Sequence, residues 1–134
     1  MKQCSILIVN CGAKPTQRQP FEKIGFHVDE TFEWPDDDLI MGFEVVIVVI
    51  RHMERVAMLA TRMRAKPRFG HRVLIAVVPP AASGDERRAA VASGFDDVVS
   101  ESSDSRPLVA RILRRLRARP EHRCFLPDRK RPAA

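Results

Sequence analysis

Three observations predict a doubly wound α/β domain built on a five-stranded parallel sheet. Five runs rich in Val and Ile recur along the 134-residue chain at regular intervals. Segments with apolar residues at helical spacing lie between them. The strongest run, EVVIVVI at 44–50, shows no polar alternation, as expected of a strand covered on both faces. Strands alternating with helices imply right-handed crossovers and a parallel sheet, and five strands in about 120 residues suit the flavodoxin-like order 2-1-3-4-5.

The elements follow in turn. SILIVN (5–10) reads as the first strand. KPTQRQPFEKIG (14–25) is a poor helix, because Pro20 removes a backbone donor and is expected to break or kink it. FHVDETF (26–32) alternates in polarity and suits an edge strand, and WPDDDLIMG (34–42) has room for barely two helical turns. After EVVIVVI, MERVAMLATRMRAK (53–66) places Val56, Leu59, Ala60 and Met63 on one helical stripe. RVLIAVV (72–78) is a second wholly apolar strand. SGDERRAAVASG (83–94) opens on Ser83 with Glu86 three residues on, a capping box, and stops at Gly94. DDVVS (96–100) is a short strand. SDSRPLVARILRRLRAR (103–119) puts Leu108, Val109, Ile112 and Leu116 on one face, with Asp104 or Ser105 as cap and Pro107 in the first turn. The whole suits the flavodoxin-like fold, with helices on both faces of the sheet. Residues 1–119 form the expected domain. Residues 120–134 form a basic, Pro-containing tail, expected to be irregular, with Phe125 and Leu126 able to dock on the body.

Composition narrows the function. Hydrophobic content of 45% and charged content of 30% are globular values. No apolar run approaches the ~20 residues that span a bilayer, and MKQCSILIVN lacks the long apolar stretch of a signal peptide. A cytoplasmic protein without membrane contact is expected. Cys4, Cys11 and Cys124 are odd in number and show no CxxC spacing, so reduced thiols are expected rather than a disulfide framework or zinc site. The net charge of +6 is uneven. From Arg106 onward ten Lys/Arg face Glu121 and Asp128, whereas the preceding residues carry 13 basic and 15 acidic groups.

The stretch GFDDVVSESSDSRPLVARILRRL (94–116) resembles the end of response-regulator receiver domains. There a Gly-Ala-Asp-Asp-like turn enters the last strand, a Lys-Pro pair follows it, and a final helix comes after a short loop. ILIVNCG (6–12) is similar to the receiver's first strand and turn. The resemblance covers residues 4–118, falling a few residues short around the first two helices. It implies a domain that catalyses its own phosphorylation. An acidic pair holds Mg²⁺, an Asp ending strand three accepts the phosphoryl group, a Ser or Thr ends strand four, and a Lys ends strand five. Such transfer is mostly positioning plus neutralisation of charge on phosphoryl oxygens.

At the matching positions this chain departs from the pattern. The acidic pair falls on Asn10 and Cys11, the phosphoacceptor on Val49, and the Ser/Thr on Pro79 or a neighbour in VVPPA. The Lys falls on Glu101, a reversal of charge, and the following Pro on Ser102. The aromatic of strand five falls on Val98. The expectation is a pseudo-receiver, a non-enzymatic module that signals by protein contact, needs no cofactor or metal, and does not use phosphate.

Several features carry a plainer reading beside a sharper one. Asp36, Asp37 and Asp38 suit a solvated helix start that complements the helix dipole, rather than a cation site. His52 would need Cys11 and Glu101 as co-ligands to hold a metal. Cys11 has no His or Lys nearby in sequence to activate it, so an inert thiol is expected. Met53, Met58 and Met63 read as core filler. Arg87, Arg88, Arg111, Arg114 and Arg115 are expected to face outward on the helix 4, strand 5 and helix 5 surface. They serve there either as a solvated face or as a site for a protein partner or a second copy. The alternative function is nucleic-acid binding through the basic C-terminal helix and tail. GxGxxG, a P-loop and a GxSxG elbow are absent. NCGAKPT offers only Gly12 and Lys14 as a weak phosphate cradle, so a nucleotide- or flavin-holding enzyme is the least favoured reading.

Overall fold

The computed structural model describes residues 4–118 apart from 13, 68 and 103. Five strands, β1 (Ser5–Asn10), β2 (His27–Thr31), β3 (Val45–Val49), β4 (Val73–Val78) and β5 (Asp97–Ser100), form one parallel sheet in the order β2-β1-β3-β4-β5. Between and after them lie α1 (Gln19–Lys23), α2 (Asp37–Met41), α3 (Val56–Arg64), α4 (Gly84–Ser93) and α5 (Arg106–Arg117). This is the expected flavodoxin-like architecture.

Every residue of β1, β3 and β4 is buried, because side chains alternate between two covered faces. Leu7, Val46, Val48, Leu74 and Ala76 join Leu59, Ala60 and Met63 of α3 and Ala90 of α4. Ile6, Ile8, Ile47, Val49, Ile75 and Val77 join Phe21 of α1 and Leu108, Ile112 and Leu116 of α5. β2 buries Val28 between exposed His27 and Asp29, the alternation of an edge strand.

Local signals act mostly as the residues dictate. Ser83 Oγ accepts from the Glu86 N–H at 3.0 Å, Glu86 Oε1 accepts from the Ser83 N–H at 2.9 Å, and Gly94 ends α4 at φ +131°. Asp36 caps α2 by accepting from the Leu39 N–H at 2.8 Å, and Asp37 pairs with Lys66 at 3.1 Å. The acidic cluster thus serves a helix start. Asp104 accepts from the Arg106 N–H at 3.0 Å and grips the Arg106 guanidinium with both oxygens. That grip lowers the Asp104 pKa and raises that of Arg106.

Four expectations change. Pro20 sits in the first turn of α1, where its missing N–H costs nothing, so it opens a five-residue helix instead of kinking a longer one. The segment at 53–66 begins as a 3₁₀ turn, Met53–Arg55, before α3. Met63 is core and Met53 packs at its margin, but Met58 is exposed. Cys4 is disulfide-bonded rather than a free thiol, whereas Cys11 is free. Sequence spacing argues against a framework but does not bar a single pair brought together by the fold. The expected tail, including Cys124, Phe125 and Leu126, lies outside the described residues.

Arg72 ties the loops at the amino-terminal edge of the sheet. Its guanidinium donates to the carbonyls of Phe43 at 2.7 Å, Met41 at 3.0 Å, Phe69 at 3.0 Å and Ile40 at 3.2 Å. Two of these carbonyls belong to the end of α2, where intrahelical donors run out. Arg72→Lys keeps the charge but loses the planar fork. It is expected to lower the unfolding free energy by about 2 kcal/mol with an unchanged urea m-value.

Candidate functional site

Ligands of doubly wound sheets sit at the carboxyl ends of the strands. The register brings one row of residues together there: Asn10 pairs with Val49, Val49 with Val77, and Val77 with Val99. Glu101 and Pro79 each lie two residues further out, beyond the ends of β5 and β4. The partner of Val49 in β4 is therefore Val77, a member of VVPPA, while Pro79 borders the opening above it.

Asn10 is only 2% exposed, and its amide is fully engaged. Nδ2 donates to the Lys14 carbonyl at 2.7 Å and to Glu30 Oε2 at 2.9 Å, and Oδ1 accepts from the Gly12 N–H at 2.8 Å. Glu30 Oε2 also accepts from the Thr16 N–H at 3.0 Å. Asn10 thus works as a clamp on the β1–α1 loop. A Cβ at position 12 would come within 3.1 Å of Asn10 Oδ1 and 3.4 Å of Val49 Cγ1, so a side chain there would press on the clamp.

The neighbouring Cys11 is exposed, but burial of its thiol pushes the pKa up, against the opposing charge of Arg55. A thiol so shifted is mostly protonated at neutral pH and a weak nucleophile. His52 shares a cleft of about 60 Å³ with Cys11 and lies 3.9 Å from Glu54, whereas Glu101 lines a separate cavity. The three residues considered as co-ligands are therefore not brought together.

The arginines of α5 have a counter-ion that sequence reasoning missed. Asp97, at the start of β5, is 6% exposed. Its Oδ1 accepts from Arg111 Nη1 at 2.8 Å and from the Val98 N–H at 2.9 Å. Its Oδ2 lies 3.5 Å from Arg115 Nε and 3.7 Å from Arg114 Nη2, ion pairs without a hydrogen bond. Among the described residues three guanidiniums share this one carboxylate, which pins α5 to the sheet and leaves positive charge over. The adjacent Asp96 does the same for α3, accepting from Arg64 Nη2 at 3.1 Å and the Leu74 N–H at 2.8 Å. Nothing in the local sequence marks these roles, because the partners lie on other elements.

On α4, Arg87 bonds Ser100 Oγ of β5, and exposed Arg88 pairs with Asp85. Arginines therefore flank the outer edge of β5 from both sides. β5 is the end strand of the sheet, and charge there also discourages edge-to-edge pairing.

No protein-family model matches the chain, and no curated protein does. Solved structures do match. A response regulator from Thermotoga maritima superposes with a TM-score of 0.64 at 15% identity, over 84% of this chain and 97% of that one. An orphan response regulator of H. pylori gives 0.59 at 19% identity, over 84% and 95%. The receiver domain of a DNA-binding response regulator from Colwellia psychrerythraea 34H gives 0.58 at 17% identity, over 87% and 99%. Strand order, helix placement and these superpositions together show that the chain has the fold of response-regulator receiver domains.

Proposed function

We propose that this chain is a signal-transduction module that works by protein contact without being phosphorylated, a binding module rather than an enzyme. The observation that carries the reading is the chemistry of the strand ends. Val49 ends β3 with no oxygen to accept a phosphoryl group, Asn10 spends its amide on the β1–α1 loop, and Glu101 sets a negative charge where a receiver uses a positive one. A carboxylate at that place would repel phosphoryl oxygens instead of neutralising them.

The face formed by α4, β5 and α5 is the proposed contact for a protein partner or a second copy. It presents exposed Val91 and Arg88 on α4 and the Asp97 arginine cluster on α5. Arginine clusters with apolar neighbours suit such contacts. The reading implies a cytoplasmic location, where the Cys4 disulfide is unusual.

Intact-mass measurement after incubation with acetyl phosphate and Mg²⁺ tests the proposal. The expected result is no change, and a stoichiometric gain of one phosphoryl group would overturn it. The positive charge left over around Asp97 also favours a second reading, nucleic-acid binding. An electrophoretic shift at low salt that weakens at high salt would support that reading, and no shift at low salt would remove it.

A further inference from the structure

We propose that the cavity at the carboxyl ends of β3, β4 and β5 is a binding site for an uncharged small molecule with an apolar body. The cavity measures about 740 Å³, within the roughly 300–1,000 Å³ typical of small-molecule sites. Ile47, Val49, Val77, Val99 and Leu108 give it an apolar lining. One wall is the chain from Lys14 to Gln17, and the opposite wall is the start of α5.

What exposure the buried cluster keeps falls on the same floor. Within the core cluster on this face, the three most exposed members are Val49 at 6%, Val77 at 7% and Leu108 at 8%. All three line the cavity. The gap has a structural cause. α1 begins only at Gln19, so the chain after β1 crosses this face without helical side chains to fill it. Water against that floor is released when an apolar body covers it.

Rim and floor together decide the charge of the ligand. Lys14 and Arg51 stand against Glu101 and Asp104, and Asp104 is already held by Arg106. With Asp104 paired to Arg106, Glu101 offsets only one of the two rim cations, so the rim attracts an anion weakly and the apolar floor favours an uncharged body. This site does not depend on phosphate chemistry or on the α4–β5–α5 contact.

The test is titration with N-phenyl-1-naphthylamine, an uncharged fluorophore, beside the anionic anilinonaphthalene sulfonate. A saturable one-to-one rise with the uncharged probe is expected, together with amide shifts at Gly12, Val49, Val77 and Glu101 in labelled protein. Val49→Phe fills the floor, and Glu101→Trp closes the rim from an exposed position. Each is expected to weaken binding roughly tenfold or more. Glu101→Trp keeps the test decisive if the core substitution fails to fold. Absence of saturation, shifts confined to other surfaces, or full affinity in folded Glu101→Trp protein would overturn the site. Tighter binding of the sulfonate would overturn the uncharged ligand. A phosphoryl adduct with acetyl phosphate would leave this result untouched, so the two proposals fail separately.

Discussion

Asn10→Asp is expected to destabilise the protein by about 3–5 kcal/mol at neutral pH, although it differs by a single atom from the native side chain. The new oxygen replaces an N–H₂ that donates to Glu30 Oε2 at 2.9 Å and to the Lys14 carbonyl at 2.7 Å. Three acceptors would then face one another, with only the Thr16 N–H still donating to Glu30 Oε2. Two hydrogen bonds are lost at ~1 kcal/mol each, and a like-charge contact is added. The charge of Glu30 raises the folded-state pKa of the introduced carboxyl above its unfolded value of about 4. A group with a raised folded-state pKa contributes full stability below the unfolded value and loses it as pH rises through the folded value. The deficit against native protein should therefore be smaller near pH 4 than near pH 8, as read by chemical denaturation at both. An equal deficit at both pH values would show that Glu30 and the new side chain do not meet. A carboxylate at this position thus costs stability first, because the β1–α1 loop is held by an amide.

Phe21→Ala is expected to cost about 3–5 kcal/mol. Phe21 is 0% exposed and is the one residue of α1 that is buried. A five-residue helix has no stability of its own, since nucleation consumes more than so few hydrogen bonds return. Its place on the sheet depends on that ring, in the cluster with Ile6, Ile8 and Ile112. Denaturant unfolding should show the loss, and hydrogen exchange should show it concentrated in α1 and β2. Phe32→Ser gives the contrast: Phe32 is exposed, and its change should fall within about 0.5 kcal/mol.

Much of the fold was legible because its signals are local. EVVIVVI and RVLIAVV read as doubly covered strands from composition alone, and β3 and β4 are buried throughout. Ser83, Glu86 and Gly94 bracket α4 through bonds spanning a few residues. Pro20 shows the limit of such reasoning. The residue is equally compatible with breaking a helix and with opening one, and only the position of the first turn decides between them. The candidate site was legible as a set of residue types but not as a set of contacts. That Val49 ends a strand follows from the run it belongs to. That Val77 stands opposite it follows from sheet register.

The sequence by itself determined the five strands, the capping box and glycine stop of α4, and the absence of a side-chain acceptor oxygen along 45–50, since each depends on residue type and near neighbours. Tertiary structure alone decided that Asn10 clamps a loop through Glu30, that Asp97 gathers three arginines, and that a five-residue α1 leaves a cavity over Val49, Val77 and Leu108. The physical reason is distance along the chain. Asn10 and Glu30 are 20 residues apart, and Asp97 and Arg111 are 14 apart. Hydrogen bonds and ion pairs act over a few ångströms, so such partners become neighbours only when the sheet has set its register.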